Sequence, residues 1–384
     1  MAPFLFLMLL CLSACSTGAQ AQDAVSGASP QASASRPALF ASAGMRLRLE
    51  DVARTDDVVW AMDFLSADTM IFTERRGRFR LLDLGSGKIT PIAGGPAVAT
   101  HTSGGLFDVL VDPDFAVNGY IYYSYIKPAG ERSVTALGRG RLRDTQLTGT
   151  RDLFVANNAS TDHAHWGSRI AMDAQRFLYV TSGDRHAAAD AQSLSSHGGK
   201  ILRLRADGRA PRDNPFARTS GAAAEIWSLG HRNPQGLAIH PSTGQLYEQE
   251  HGPTGGDEIN LVRRGANYGW PVITWGENIG GGLMPQGTAR SGMEQPLKYW
   301  VPGTAPTGIA FCSGQRYPGW RDSLFSATLR GPLHRLTIDN DRVIGEEILL
   351  ENWQERVRDV AEGPDGLLYL ATESGRIMRI VPLE

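Results

Sequence analysis

The chain has 384 residues, of which 42% are hydrophobic and 20% are charged, and its formal net charge is −2. This composition is typical of a globular protein with a sizeable buried core, and the lack of a basic excess argues against a nucleic-acid partner. Only four of the 38 basic residues are lysines. A site for an anionic ligand must therefore rely mainly on arginine.

The N-terminal segment predicts export. Residues 1–21 contain an apolar stretch too short to span a bilayer and are predicted to be a signal peptide. Two processing sites stay open: LSAC at 12–15 resembles a bacterial lipoprotein box that would lipidate Cys15 and tether the protein to a membrane, whereas AQA at 19–21 offers ordinary cleavage. Residues 22–43, rich in Ala, Ser, Gln and Pro, are predicted to be a disordered linker. We expect a periplasmic protein, secreted or lipid-anchored.

One pattern recurs six times in the rest of the chain: an alternating apolar run, a turn containing Pro, Asp, Asn or Gly, and a second β-rich run. The copies lie at 60–74, 104–125, 167–183, 235–250, 307–327 and 357–373. Alternation on both sides of a turn is typical of an antiparallel hairpin, and no copy has an apolar stripe of helical period. The repeats predict an all-β fold over residues 44–384, a six-bladed β-propeller of four-stranded antiparallel blades.

The segment RLRLEDVA at 46–53 precedes the first copy and is predicted to add an outer strand to the last blade, which would close the ring. A stack of irregular β-sandwiches is the alternative fold. Cys312 is the one cysteine of this domain. The sequence therefore excludes a disulfide framework and a thiolate metal cluster.

Unusual polar motifs stand beside the repeats, where loops of a propeller gather around the central channel. They are DHAHWGSR at 162–169, GHRNPQG at 230–236, EHGPTGGDE at 250–258, VPGTAPTG at 301–308 and ERVRD at 355–359. Each motif alone could be a turn. The two arginines of the last motif could equally form a solvated edge, or a salt bridge with Asp359 or Glu355.

Together, these motifs place Arg232, Arg356 and Arg358 at one channel mouth beside His165 and Asn233. A cluster of cations around a cavity is costly unless an anion joins it. Guanidinium groups bind carboxylates through paired hydrogen bonds. The mouth is therefore predicted to bind a planar polycarboxylate.

From about residue 46 to the C-terminus, the chain resembles the soluble PQQ-dependent aldose sugar dehydrogenases, relatives of soluble quinoprotein glucose dehydrogenase. The resemblance is carried by HWGSR at 165–169, GHRNPQGLA at 230–238, HGP with DEINLVRRGANYGWP within 251–271, APTG at 305–308 and RVRDV at 356–360. It implies a six-bladed propeller that uses PQQ and Ca²⁺. It further implies oxidation of aldose sugars at C1 to lactones by hydride transfer, with electrons passed to an external acceptor, a quinone or a cytochrome.

The resemblance also implies roles for individual residues. The catalytic base falls on His165. The contacts to PQQ carboxylates fall on Arg232, Arg356 and Arg358, with Asn233 and Gln235 nearby. Backbone carbonyls of Gly252 and Pro253 would hold the Ca²⁺, which prefers oxygen ligands.

Several positions depart from the family pattern. Ser103 replaces a glutamine beside the base, and Ala164 replaces an aspartate, although Asp162 lies two residues earlier; Ser103 and Asp162 are thus candidate substrate contacts. His251 replaces a glutamine before the Gly-Pro pair and Gly303 replaces a threonine. Arg330 is the nearest substitute for a family lysine, so Arg330 and His251 are candidate cofactor contacts. These departures favour broad aldose tolerance.

Three questions stay open at the level of sequence. Asp257 and Glu258 could belong to a second metal site or to a salt-bridged loop. The alternative functions are a Ca²⁺-dependent lactonase-type propeller hydrolase and a non-catalytic sugar- or protein-binding propeller. Lactonase-type propellers usually hold their metal through acidic and amide side chains, whereas the motifs here are rich in arginine. The chain is compatible with a monomer or a dimer.

Overall fold

Twenty-five β-strands, one short α-helix and two 3₁₀ turns make up the part of the chain described by the computed structural model, residues 38–277 and 287–383. In chain order the strands are β1 (Ala38–Ser42), β2 (Met45–Arg54), β3 (Val59–Phe64), β4 (Thr69–Glu74), β5 (Arg78–Asp83), β6 (Ile89–Ile92), β7 (Leu106–Val111), β8 (Tyr120–Ala129), β9 (Arg132–Arg143), β10 (Gln146–Val155), β11 (Gly167–Met172), β12 (Phe177–Ser182), β13 (Lys200–Arg205), β14 (Ile226–Leu229), β15 (Pro234–Ile239), β16 (Leu246–Glu250), β17 (Asp257–Val262), β18 (Lys298–Trp300), β19 (Pro306–Phe311), β20 (Leu324–Thr328), β21 (Leu333–Asp339), β22 (Arg342–Leu349), β23 (Val357–Glu362), β24 (Leu368–Thr372) and β25 (Arg376–Leu383). The helix α1 covers Phe115–Asn118, and the 3₁₀ turns cover Ala188–Gln192 and Pro318–Trp320. The predicted signal peptide and Cys15 lie outside the described residues.

The strands form six antiparallel sheets, numbered here as blades one to six. Blades one to five each contain four consecutive strands, from β3–β6 to β19–β22. The first strand of each blade (β3, β7, β11, β15, β19, β23) packs against its counterparts on both sides, so these six strands form a closed ring around a channel. The predicted six-bladed propeller is confirmed, and each predicted hairpin coincides with the first two strands of a blade.

The ring closes as the sequence predicts. β2 pairs antiparallel with β25, with Leu49 opposite Ile380. The sixth blade therefore combines three C-terminal strands with β2, and β1 adds a fifth strand at its edge. Both Leu49 and Ile380 are buried, since one face of this blade packs on the core.

β1 lies inside the segment predicted to be a linker, so that prediction is wrong for residues 38–42. The turn Ala43–Gly44 has positive φ at both residues, 49° and 77°. This geometry is typical of a two-residue hairpin turn, and it lets the chain return along β2. The strand β1, with the sequence ALFAS, spans only five residues. Its apolar alternation is too short to separate a strand from the polar linker before it.

The core lies between neighbouring blades. Its largest cluster joins blades five, six and one, where Tyr317 stacks on Trp320 with ring centroids 4.5 Å apart. No helix within residues 38–277 and 287–383 has the length and apolar character needed to span a bilayer.

Polar side chains tie the inner strands together around the channel. Carboxylates accept hydrogen bonds from backbone N–H groups of the next blade: Asp63 from Val111 at 2.6 Å and Asp108 from Ile170 at 2.8 Å. Such bonds satisfy backbone groups that the ladder leaves unpaired. They also link successive blades.

Arg169 of β11 bridges the channel. Its guanidinium donates to the carbonyls of Gln235 and Arg358, both at 2.7 Å, and forms an ion pair with Asp359 at 3.0 Å. It thus links blade three to blades four and six. The channel is bridged at this level, and the loops that precede the inner strands form a mouth above the bridge.

Candidate active site

His165 lies in the loop before β11 and is held by a buried carboxylate. Its backbone has a positive φ of 51°, and its Nδ1 lies 2.6 Å from Oδ1 of Asp184. The other oxygen of Asp184 accepts a hydrogen bond from Nε1 of Trp270 at 2.7 Å. Asp184 therefore fixes the imidazole as the tautomer that donates from Nδ1, which leaves Nε2 as a proton acceptor.

The protonation states of this pair suit a base. Burial lowers the pKa of His165 below its ordinary value, and the hydrogen bond to Asp184 opposes that effect without cancelling it. Burial raises the pKa of Asp184, but the hydrogen bond and charge of His165, together with hydrogen bonds from His186 and Trp270, outweigh it and hold the pKa below its ordinary value. At neutral pH the pair is thus a neutral imidazole beside an ionised carboxylate.

The loop that carries His165 is fixed by its neighbours. The ring of His186 meets that of His165 edge-on, with centroids 3.9 Å apart, and its Nδ1 lies 2.7 Å from Asp162. Arg185 stacks on Trp166 at 3.3 Å from the ring centroid. Asp162, predicted as a substrate contact, is therefore already bonded to His186 of the loop that follows β12.

Ser103 borders the same loop. Its hydroxyl donates to the carbonyl of His163 and accepts from Nε1 of Trp166 at 3.2 Å. The structure thus brings the predicted substrate contact to the wall beside the base, with its hydroxyl engaged by the loop.

Arg232 is buried next to His165 and Asp184. Its NH1 donates to the carbonyl of Gly252 at 2.8 Å and to that of His251 at 3.2 Å. The guanidinium lies 5.3 Å from the ring centroid of Trp270. Its Nε has no hydrogen-bond partner among the described residues, and burial lowers its pKa. A buried cation with an unused donor is a ready partner for an anion.

Asn233 and Gln235 join two inner strands. Nε2 of Gln235 donates to Oδ1 of Asn233 at 3.0 Å and to the carbonyl of Gly167 at 3.3 Å. Oδ1 of Asn233 also accepts from the N–H of Gly167 at 3.3 Å. Both carboxamides lie beside Arg232, and in this arrangement they brace the loop of His165.

Arg356 and Arg358 both donate to the carboxylate of Glu373. The side chain of Arg356 is 55% exposed, whereas that of Arg358 is 10% exposed and lies 4.4 Å above the ring of Trp60. Burial lowers the pKa of Arg358 to about 10, and its Nε lacks a partner among the described residues.

The alternative of an internal salt bridge is thus found, but with a different partner from the two predicted. Asp359 pairs with Arg169 instead, and Glu355 accepts from the hydroxyl of Ser374. Glu373 follows β24 directly. It reaches both arginines because the end of β24 and the start of β23 lie at the same edge of an antiparallel pair.

The segment predicted to hold Ca²⁺ is engaged by other groups. The carbonyl of Gly252 accepts from Arg232, and its N–H donates to Asp257 at 2.9 Å. Pro253 follows it, half-buried. A guanidinium 2.8 Å from the carbonyl oxygen repels a dication, so this arrangement does not fit Ca²⁺ at Gly252 unless Arg232 turns away.

His251 and Gly303 pack around the same turn. Nε2 of His251 donates to the carbonyl of Pro306 at 2.7 Å, and burial lowers the pKa of His251 to about 4, so the ring is neutral. A Cβ added at Gly303 would lie 2.6 Å from Oδ2 of Asp257. The threonine that the family pattern has there therefore does not fit this loop without a shift.

Arg330 is at the edge of the mouth. The preceding residue, Leu329, donates to the carbonyl of Ala305 at 2.9 Å. The side chain of Arg330 is exposed and forms no hydrogen bond or ion pair with the residues that the structure describes. The structure does not bring this predicted cofactor contact into the arginine cluster.

Buried acidic groups lie behind Arg232. His231, Glu248 and Glu250 offer ligand atoms within 4.8 Å of one another, a donor set that a cation could use. His231 lies 3.2 Å from Glu250 and 2.9 Å from Ser228, so both of its ring nitrogens are within hydrogen-bond distance of neighbouring side chains. Burial raises the pKa of Glu248 and of Glu258 well above the ordinary value. Neither Asp257 nor Glu258 forms an ion pair within the described ranges, so the salt-bridged loop is not found.

The sequence model of the family "Glucose / Sorbosone dehydrogenase" matches residues 56–379. The chain belongs to this family. It is 39% identical over 335 residues to the aldose sugar dehydrogenase YliI of Escherichia coli K12, a match that covers 85% of this chain and 90% of that protein.

Solved structures agree with this assignment. The apo-form of the soluble aldose sugar dehydrogenase from Escherichia coli superposes with a TM-score of 0.85 at 37% identity, covering 88% of this chain and 100% of that one. The PQQ-bound aldose sugar dehydrogenase from Streptomyces coelicolor superposes with a TM-score of 0.74 at 27% identity, covering 88% and 98%. The resemblance predicted from the motifs is confirmed, and the relatives are oxidoreductases.

Three residues of the site escape the sequence-based prediction: Asp184, Trp270 and Glu373. Asp184 and Glu373 each stand within two residues of the end of the second strand of a hairpin, at the same edge as the motifs before the inner strands. That shared edge is the signal that would have found both. Trp270 stands in the motif DEINLVRRGANYGWP, but that motif does not indicate its contact with Asp184.

Proposed function

We propose that this protein is a PQQ-dependent dehydrogenase that oxidises the C1 hydroxyl of aldose sugars to lactones. The observation that carries the proposal is the close association of a neutral base with buried guanidinium groups. His165 is held by Asp184, which bonds Trp270, and Arg232 lies over Trp270 with an unpartnered Nε.

His165 has the role of general base. Its Nε2 accepts the proton of the anomeric hydroxyl as the C1–H bond breaks, so the hydride leaves C1 and the C1–O bond becomes the lactone carbonyl. Asp184 keeps Nδ1 protonated and stabilises the imidazolium that forms. When bound, PQQ supplies the two-electron acceptor for the hydride.

Arginines fit the carboxylates of this cofactor. Arg232 and Arg358 are buried, each lies over a tryptophan ring, and each has an Nε without a partner in the described chain. A carboxylate that reached them would satisfy these donors in a site of low dielectric, where a charged hydrogen bond is strong. Arg356 is more exposed and adds to the positive potential at the mouth.

In this proposal Ca²⁺ is added to the assay but has no assigned role in the chemistry. Gly252 and Pro253 remain the proposed ligands, but Arg232 must release the carbonyl of Gly252 before a dication can bind there. We therefore assign no chemical step to the ion.

We extend the proposal to the protein's location and partners. Residues 1–21 act as an export signal, so the sugar is oxidised in the periplasm, and electrons leave to an external quinone or cytochrome. Mass analysis of the mature N-terminus tests whether processing occurs at Cys15 with lipidation or after residue 21.

Reconstitution tests the function. The protein is mixed with PQQ and Ca²⁺, and the absorbance of the bound quinone and the reduction of an electron-accepting dye are followed with a panel of aldoses. We expect micromolar or tighter binding and dye reduction with several aldoses. No binding at micromolar PQQ overturns the proposal. Binding without dye reduction supports a non-catalytic propeller, and PQQ-independent lactone hydrolysis supports a lactonase.

A further inference from the structure

A second opening lies next to the loop of the base. Its volume is about 590 Å³, and it is lined by Arg75, Arg76, His101, Ser103, His163 and two threonines. This volume is within the range of small-molecule sites. The opening lies between the turn that follows β4 and the loop that precedes β7.

The charge of this opening is positive. Two guanidinium groups line it, and no carboxylate does. Arg75 is half-buried and donates to the carbonyl of Thr102 at 2.9 Å, and it forms no ion pair within the described chain. Arg76 is 65% exposed and reaches Asp57 only at 3.8 Å. Arg75 is thus a half-buried cation without a direct ion pair, although Asp56, Asp57 and Glu373 line the adjoining pocket that it also borders.

A pair of stacked rings forms one wall. His101 lies on His163 with centroids 3.8 Å apart and planes 17° from parallel. Nε2 of His101 is buried and has no hydrogen-bond partner in the described part of the chain. The wall therefore offers a flat face and an unused polar atom beside Arg75.

The opening adjoins the base. His163 is two residues from His165, so their Cα atoms are at most about 7 Å apart. The hydroxyl of Ser103 donates to the carbonyl of His163, and Nε1 of Trp166 donates to both of these oxygens. A sugar whose C1 hydroxyl meets His165 would extend its other end towards this wall.

We propose that this opening binds an anionic group, a carboxylate or a phosphate, on the end of the aldose remote from C1. Arg75 is the specificity-determining residue, and acidic aldoses such as uronates or aldose phosphates are preferred over neutral ones. This inference rests on the proposed function, because it assigns a substrate class to the same site.

The first test is a selectivity ratio. The kcat/KM of the PQQ-loaded enzyme is measured for glucuronate, glucose 6-phosphate and glucose. We expect the wild type to prefer at least one of the anionic sugars, and Arg75→Gln to lower the ratio of anionic to neutral kcat/KM at least tenfold. The matched control is Arg342→Gln, an exposed arginine on β22, which leaves the ratio unchanged. A preference for glucuronate alone identifies a carboxylate, and a preference for glucose 6-phosphate alone identifies a phosphate.

The second test needs no cofactor. Glucuronate and inorganic phosphate are titrated into the PQQ-free protein, and tryptophan fluorescence is followed, since Trp166 stands parallel to His101 at 6.0 Å. We expect saturable quenching by at least one of the two anions that is weakened at least tenfold in Arg75→Gln. Quenching without oxidation of any aldose would contradict the proposed function but not the anion site.

Three results overturn the inference while the proposed function stands. These are a wild type that prefers glucose, an equal loss of all three sugars in Arg75→Gln, and a loss of PQQ affinity in Arg75→Gln. The last result would assign Arg75 to the cofactor.

Discussion

Two buried arginines at the channel mouth have different hydrogen-bond partners. Arg232, beside the base, donates its NH1 to backbone carbonyls and forms no ion pair among the described residues. Arg358, on blade six, donates to the carboxylate of Glu373. Both lie over tryptophan rings, and both have an unpartnered Nε.

The difference concerns what an incoming anion must displace. At Arg232 no carboxylate is directly bonded, and the anion competes with carbonyl dipoles, which are weak partners for a full charge, although the charges of Asp184, Glu250 and Asp257 also act on the guanidinium. At Arg358 it competes with, or must share the cation with, a carboxylate that is already bonded. We therefore expect Arg232 to contribute more to cofactor affinity than Arg358, and Glu373 to oppose binding.

Removing Arg232 has the largest expected effect. Arg232→Ala leaves a cofactor carboxylate buried without its partner, and we expect PQQ affinity to fall by roughly 2 to 5 kcal/mol, measured by absorbance titration. Arg358→Ala is the comparison and should lose less. A larger loss in Arg358→Ala would reverse the ranking of the two arginines.

Removing the imidazole of His165, the residue beside Arg232, tests whether turnover can be lost while PQQ binding is kept. In His165→Ala we expect turnover to fall by a factor on the order of 10² or more, with PQQ affinity nearly intact because His165 is neutral. Stopped-flow dye reduction and the same absorbance titration measure the two quantities. Equal losses in both would show that His165 is structural.

Asp184→Asn tests the electrostatics of the base through its pH profile. The hydrogen bond and charge of Asp184 raise the pKa of His165 against burial, so their loss lowers that pKa further. We expect kcat to fall and the acidic limb of kcat/KM, which reports deprotonation of His165, to move to lower pH. An acidic limb that stays in place would mean that another group controls it.

Glu373→Gln tests whether Glu373 competes with the cofactor. The charge that balances Arg356 and Arg358 is lost, so the PQQ-free protein should melt at lower temperature. PQQ then supplies the missing charge, and its stabilisation of the variant should exceed that of the wild type by roughly 2 °C in thermal unfolding. Glu355→Gln, a neighbouring carboxylate bonded to Ser374, is the control. A smaller stabilisation would show that Glu373 holds the arginines in place for the cofactor.

Arg330→Ala has the smallest expected effect. The side chain is exposed, so PQQ affinity should stay within about threefold of the wild type in the absorbance titration. A loss comparable to that of Arg232→Ala would show that Arg330 moves into the site when the cofactor binds.

The fold was predictable because each blade repeats a local pattern. Alternating apolar residues on both sides of a turn indicate a hairpin wherever they occur, and Leu49 on β2 continues the alternation that closes the ring. The extra strand β1 was missed because its signal is five residues long.

The site was predictable only where a motif carries it. His165, Arg232 and Arg358 stand in motifs before inner strands, and the structure brings them to one mouth. Glu373 and Asp184 are single acidic residues after strands, and the sequence does not say which cation or ring each will meet. The engagement of Gly252 by Arg232 depends on a rotamer, which no sequence pattern specifies.

The bridge that Arg169 forms across the channel has a consequence for the kinetics. Its guanidinium spans the inner strands of blades three, four and six, so we expect ligands to reach the site from the mouth side of this bridge. Under the proposed function, sugar and electron acceptor then use the same side of the channel, and we expect the acceptor to enter after the lactone has left. Steady-state rates measured against both substrates should therefore give parallel double-reciprocal lines, with inhibition by excess sugar that more acceptor relieves.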